Sequence, residues 1–181
     1  MAMPSNNKAP VIWFTGISGS GKTTLATKLE AELSGLGQPV KLLDGDQVRR
    51  FFENDLGYTR PDRIFNIRRI AFAAHQLSEC GITAIVANIA PYYEVRDFLR
   101  KKLPNYLQIY LKTSLDVVSS RDVQGHYRKN RSGELINLIG VDDVYDEPRR
   151  PDLVLETGAE RAEESFGKLT RFLEQRGVIA R

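Results

Sequence analysis

The chain has 181 residues, 27% of them charged and 41% apolar, with a formal net charge of +3 at pH 7. This balance suits one globular unit with a full core and excludes a disordered or fibrous chain. A single cysteine, Cys80, rules out an internal disulfide and a cysteine-based zinc cluster, and no apolar stretch is long enough to span a bilayer.

The first residues, MAMPSNNKAP, are polar and lack the apolar segment of a secretory signal. Residues 1–9 are expected to be a disordered tail, and residues 10–181 a single domain of a cytoplasmic protein. The apolar run at 11–15, VIWFT, reads as a buried strand, and GISGSGKTT follows at once. Gly16, four intervening residues, then Gly21, Lys22 and Thr23 match the P-loop template G-x-x-x-x-G-K-[ST]. Gly16, Ser18, Gly19, Ser20 and Gly21 would turn tightly, so that their backbone N–H groups face a phosphate. A helix starting at Thr24 adds its positive end. Lys22 would reach the β- and γ-phosphates, and the Thr23 hydroxyl would ligate Mg²⁺. Leu25, Ala26, Leu29, Leu33 and Leu36 recur at helical spacing, and Gly37 ends that helix. These residues call for a nucleoside triphosphate.

A second strand at 40–43 leads into Asp44-Gly45-Asp46. One carboxylate here can hold Mg²⁺ through water or take a proton from an attacking hydroxyl. Asp46 can equally cap a helix over 47–54. Arg49 lies one helical turn above Asp46, and Tyr58 closes the turn that begins at Asp55. A helix over 62–80 carries Ile64, Ile67, Ala71, Ala74 and Leu77 on one face, with Cys80 packed at its end. Arg63 and Asn66 fall on the side opposite much of that stripe. Arginine's fork suits phosphate or sulfate, and the amide can read a base edge or a hydroxyl.

Further strands at 82–87, 106–111 and 153–155, and an amphipathic helix at 160–177, complete the pattern. Strands alternating with helices predict an α/β fold, an open parallel sheet with helices on both faces. Ligands of such sheets sit beyond the carboxyl ends of the strands, which gathers the P-loop, 44–46 and 88–91 at one edge. Basic residues cluster at 60–69 and 121–131, in mid-chain, which suits a small phosphorylated ligand at least as well as a nucleic acid. The second cluster, RDVQGHYRKNRSG, reads as a basic lid that excludes water and steadies developing charge. His126 has no visible partner there and receives no catalytic role.

With LLDGDQVRR, NDLGYTRPDRIFNIRRI, RDVQGHYRKNRSGE and IGVDDVYDEP added to the P-loop, the chain resembles the adenylylsulfate kinase family over residues 10–157. The resemblance implies a P-loop NTPase fold and transfer of the γ-phosphate of ATP to the ribose 3′-hydroxyl of adenylyl sulfate. It implies ATP and Mg²⁺ as cofactors, a homodimer, and a small nucleotide acceptor, with neither nucleic acid nor membrane as partner. It also implies that Asp46, Arg49, Arg63 and Asn66 bind the acceptor while Tyr58 stacks on its base. Asp46 would be the base or the Mg²⁺ positioner, Lys22 would neutralise the transferring phosphoryl group, and Arg121 would lie near the ATP base or phosphates. Asp44, Asn88, Ile89 and Leu138 join the acceptor side by position.

The chain departs from the family on that side. Where the family usually reads F-I-S-P-[FY]-R, this chain has Asn88, Ile89, Ala90, Pro91, Tyr92 and Tyr93. Where it usually reads I-K-G-F-T-G-[IV]-D, Ile136, Leu138 and Ile139 replace the lysine, the second base-stacking aromatic and the threonine. Losing one aromatic jaw forfeits roughly 1–3 kcal/mol of base stacking. Three readings follow: adenylyl sulfate as acceptor, another nucleotide such as cytidine diphosphoramidate in capsule assembly, or a non-catalytic nucleotide-sensing module. A regulatory GTPase is disfavoured, because no N-K-x-D motif follows the P-loop.

Overall fold

Three runs, VIWFT, TAIVA and YLQIYL, are buried at every position, as strands covered on both faces must be. They form β1 (Val11–Thr15), β3 (Thr83–Ala87) and β4 (Tyr106–Leu111), flanked by β2 (Val40–Asp44) and β5 (Leu153–Leu155). The strands pair in parallel in the order β2-β3-β1-β4-β5, in a computed structural model that describes residues 8–122 and 124–179. The helices are α1 (Lys22–Gly35), α2 (Gly45–Phe51), α3 (Arg60–Glu79), α4 (Tyr93–Lys102), α5 (Leu115–Arg121), α6 (His126–Arg131) and α7 (Ala162–Gln175).

Successive strand residues point to opposite faces, and the core divides accordingly. Val11, Trp13, Ala84 and Val86 pack with Ile67, Ile70 and Ala74 of α3 and Leu99 of α4. Ile12, Phe14 and Ile85 pack on the other face with Leu25 and Leu29 of α1 and Leu169 and Leu173 of α7. A smaller cluster of Ile17, Val118, Tyr127 and Leu138 roots the lid beside the P-loop.

Several expectations shift. Asp44 pairs in register with Ala87 and so belongs to β2, and its side chain caps α2 by accepting from the N–H groups of Asp46 and Gln47. The cap is therefore Asp44, not Asp46. α3 begins at Arg60 because the Thr59 hydroxyl accepts from Asp62 N–H. Cys80 is exposed just past the end of α3 and has no packing role. Lys8 and Ala9 are docked rather than loose: Lys8 pairs with Glu79 at 2.6 Å, and Ala9 N–H donates to the Ser78 carbonyl at 3.2 Å. The tail expected at 1–7 lies outside the described residues. The closing helix is Ala162–Gln175, a little shorter than expected. No described helix is long and apolar enough to cross a membrane.

Candidate active site

β1 ends at Thr15, and the chain must turn at once to bring α1 back over the sheet. Gly16 makes that turn at φ 152°, where an added Cβ would stand 2.7 Å from the Leu111 carbonyl oxygen and the Ser20 hydroxyl oxygen. Gly21, at φ 94°, ends the loop, and α1 opens on Lys22. The Lys22 ammonium donates to the carbonyls of Gly16 (2.9 Å) and Ile17 (2.8 Å) and to Ser20 Oγ (3.4 Å). Burial lowers its pKa to about 8, against the upward pull of Asp46 and then of Asp44.

A cavity of about 340 Å³ opens over this loop. Ser18, Gly19, Gly21, Lys22, Thr23 and Thr24 line it together with Asp44, Asp46, Arg49, Tyr58, Arg63, Asn66, Asn88, Ile89 and Leu138. The expected phosphate and acceptor residues thus converge in one space, although they come from five stretches of chain. A hollow of about 420 Å³ behind Ile17, lined in part by Tyr110, Tyr145 and Glu147, contains neither Lys22 nor any acidic residue of the 44–46 turn. Of the expected site residues, Gly16 and Ser20 shape the loop from beneath. Arg121 does not line the cavity; its guanidinium donates to the carbonyls of Thr157 (3.1 Å) and Gly158 (3.5 Å) in the turn after β5.

The two aspartates have different settings. Asp44 Oδ1 accepts from Asp46 N–H at 2.9 Å and Gln47 N–H at 3.3 Å, while its Oδ2 accepts from the Thr23 hydroxyl at 3.3 Å. Asp46 stands exposed in the first turn of α2, and its carboxylate accepts no hydrogen bond from the described residues. Thr23 is therefore brought to Asp44 rather than to Asp46.

Arg49 does not reach out beside Asp46. It is 6% exposed, donates to the carbonyls of Leu56 (3.0 Å) and Gly57 (2.8 Å), and lies 4.5 Å from the Tyr58 ring centroid. Its effect is to hold the turn that presents Tyr58, which is 45% exposed. Arg63 donates to the carbonyls of Tyr58 (3.0 Å) and Asn137 (2.6 Å), tying α3 to the segment after the lid. Burial lowers its pKa, with Tyr92 opposing. Asn66 is on the buried side of α3, not opposite the apolar stripe. Its Nδ2 lies 3.4 Å from the Gly45 carbonyl, and its Oδ1 is buried without a partner among the described residues. A buried acceptor left open inside a cavity is a place for a ligand's donor.

Asn88 Oδ1 accepts from Ala90 N–H at 3.1 Å, which steadies Ala90 at φ 42°. Its Nδ2 occupies the space that a Cβ at residue 45 would need, so a side chain there would displace this amide. Leu138 lines the cavity but is only 6% exposed, packed against Ile17, Val118 and Tyr127. The free aliphatic side chain at the rim is Ile136, 69% exposed. Sequence reasoning missed His126, which lines the cavity with Nδ1 2.9 Å from Ser18 Oγ. Its partner is 108 residues away, and no local pattern could have disclosed it.

A parallel sheet in this order, with a glycine-rich phosphate loop between its central strand and α1 and a basic lid after β4, defines a P-loop kinase. The profile of the adenylylsulphate kinase family matches residues 8–156. The adenylyl-sulfate kinase of Halothermothrix orenii is 42% identical over 96% of this chain and 94% of its own length. That of Deinococcus deserti is 44% identical over 94% and 92%. The APS kinase of Mycobacterium tuberculosis, solved in complex with AMPPNP and APS, superposes with a TM-score of 0.87 at 34% identity, covering 92% of this chain and 98% of that one. The chain belongs to the adenylylsulphate kinase family, and is a phosphotransferase with an alcohol group as acceptor.

Proposed function

We propose that the chain transfers the γ-phosphoryl group of ATP to the ribose 3′-hydroxyl of adenylyl sulfate. The observation that carries this reading is the single cavity in which the P-loop residues Lys22 to Thr24 face Tyr58, Arg63 and the open Asn66 acceptor. The relatives named above point to the same donor and acceptor.

In this reaction the 3′-oxygen forms a bond to the γ-phosphorus, the bond to the β–γ bridging oxygen breaks, and ADP leaves. Lys22 lies against the transferring phosphoryl group and offsets its charge. Asp46, the carboxylate without a hydrogen-bond partner, accepts the hydroxyl proton. Tyr58 offers its ring to the acceptor base, and Asn66 Oδ1 takes a donor from the acceptor. Arg63 is held by two carbonyls through Nε and Nη2, and its Nη1 is left to meet the acceptor's anionic group. The Thr23 hydroxyl and Asp44 carboxylate, adjacent hard oxygen donors, fit Mg²⁺ and would hold it. When bound, Mg²⁺ neutralises charge on the β- and γ-phosphates.

The test is ADP release with ATP and a single acceptor. Turnover with adenylyl sulfate and little with cytidine nucleotides is expected. Turnover on a cytidine nucleotide alone would replace the acceptor, and ATP-independent behaviour with every acceptor would remove the kinase reading itself.

We also propose that two chains pair. Phe65 and Phe72 are seven residues apart on α3, share a face, and are 57% and 68% exposed. Sedimentation should give about twice the 20.4 kDa chain mass, and a Phe65→Ser/Phe72→Ser double variant should be monomeric. A native chain that sediments as a monomer at micromolar concentration sinks the pairing.

A further inference from the structure

Two hydrogen bonds between the lid and the P-loop converge on one residue, Ser18. Asp122, at φ 25°, closes α5, and its carboxylate accepts from the N–H groups of Tyr127 (3.0 Å) and Arg128 (2.9 Å). Gly125, at φ 69°, starts α6. This braced turn directs two consecutive side chains at Ser18. The buried Tyr127 hydroxyl donates to the Ser18 carbonyl at 2.9 Å, and His126 Nδ1 stands 2.9 Å from Ser18 Oγ.

The Tyr127 contact is buried, whereas the His126 contact faces the cavity. His126 is only partly buried and lines the cavity alongside Gly19, Lys22 and Thr23. Its Nε2 has no hydrogen-bond partner among the described residues. Ser18 Oγ has no other partner among them, so its hydroxyl is free to donate to Nδ1. A neutral ring that accepts at Nδ1 carries its proton on Nε2. With Ser18 Oγ as the donor, the ring presents an N–H to the space over the P-loop, where the negative oxygens of a triphosphate gather.

We propose that His126 is a further nucleotide-binding residue, whose Nε2–H bonds an oxygen of the β- or γ-phosphate, with Ser18 setting the tautomer. The inference rests on reading the cavity as a triphosphate site, and gives the lid a direct contact with the nucleotide. It also explains why one P-loop residue is held at both its carbonyl and its hydroxyl. The carbonyl contact positions the lid, and the hydroxyl contact orients the imidazole.

The test uses the full chain, with His126→Leu, His126→Asn and His126→Gln variants whose thermal midpoints match the native one. Asparagine can place an amide nitrogen near Nδ1, whereas glutamine can place one near Nε2. Calorimetric affinities for Mg·AMPPNP and for AMP are compared. Leucine and asparagine should weaken AMPPNP binding about tenfold, glutamine should restore most of it, and AMP affinity should not change. Equal AMPPNP affinity in all variants would overturn the proposal. So would restoration by asparagine but not glutamine, or parallel losses for AMP and AMPPNP, which would mark a purely structural latch. A native chain that binds no AMPPNP overturns the triphosphate reading first, and this inference with it.

Discussion

Replacing Lys22 by alanine reduces acceptor phosphorylation by about 10²–10³-fold or more while leaving the fold intact. The ammonium is enclosed by the carbonyls of Gly16 and Ile17 and the Ser20 hydroxyl, all parts of the loop that would cradle the triphosphate. No other lysine lines the cavity among the described residues, and the two arginines that do, Arg49 and Arg63, are tied to backbone carbonyls. The fold survives because burial already disfavours the charged form, whose pKa is lowered to about 8 despite the pull of Asp46 and Asp44. The sign of the pH effect follows. Between pH 8 and 10.5 the unfolded chain holds the Lys22 proton that the folded chain is releasing, so stability gains a rising term with pH across that window. Lys22→Ala lacks this term. A triphosphate beside the ammonium reverses the shift, so binding near pH 9 should take up a proton, seen by calorimetry in buffers of different ionisation heat. A Lys22→Ala enzyme retaining more than about a tenth of native turnover would refute the assignment.

The sheet was legible because strands buried on both faces read as nearly continuous apolar runs, and VIWFT and YLQIYL are such runs. Helix starts were less so, since they depend on which polar side chain turns back. In Asp44-Gly45-Asp46 either aspartate satisfies the local pattern, and pairing of Asp44 with Ala87 across the sheet decides between them. Which residues meet at the cavity could be read from the rule that ligands sit beyond the strand ends. What each side chain does there could not. Arg49 turns inward to the Leu56 and Gly57 carbonyls, Arg63 reaches Asn137 from 74 residues away, and Leu138 joins the lid's apolar root. Such long-range destinations are set by tertiary packing, which a single chain of letters does not display. Cys80 shows the converse: the helical period carries to Leu77, but the helix ends before Cys80 can follow it inward.

The arrangement of Asp44 and Asp46 separates two roles that the sequence left joined. Asp44 is tied to the Thr23 hydroxyl on one oxygen and to two backbone N–H groups on the other, which suits the metal-holding role proposed for it. Asp46, exposed on the first turn of α2 and unpaired, is free to meet the acceptor hydroxyl. Asp46→Asn keeps shape and helix start while removing the proton-accepting carboxylate. It should lower kcat about 10²–10⁴-fold, with ATP affinity and the Mg²⁺ concentration for half-maximal rate unchanged. Asp44→Asn should behave differently: asparagine still caps α2, so the fold holds, but the Mg²⁺ requirement rises. Steady-state kinetics across a Mg²⁺ series distinguishes the pair. If Asp46→Asn activity recovers at high Mg²⁺ while Asp44→Asn is insensitive to it, the roles are exchanged and Asp46 is the metal-side carboxylate.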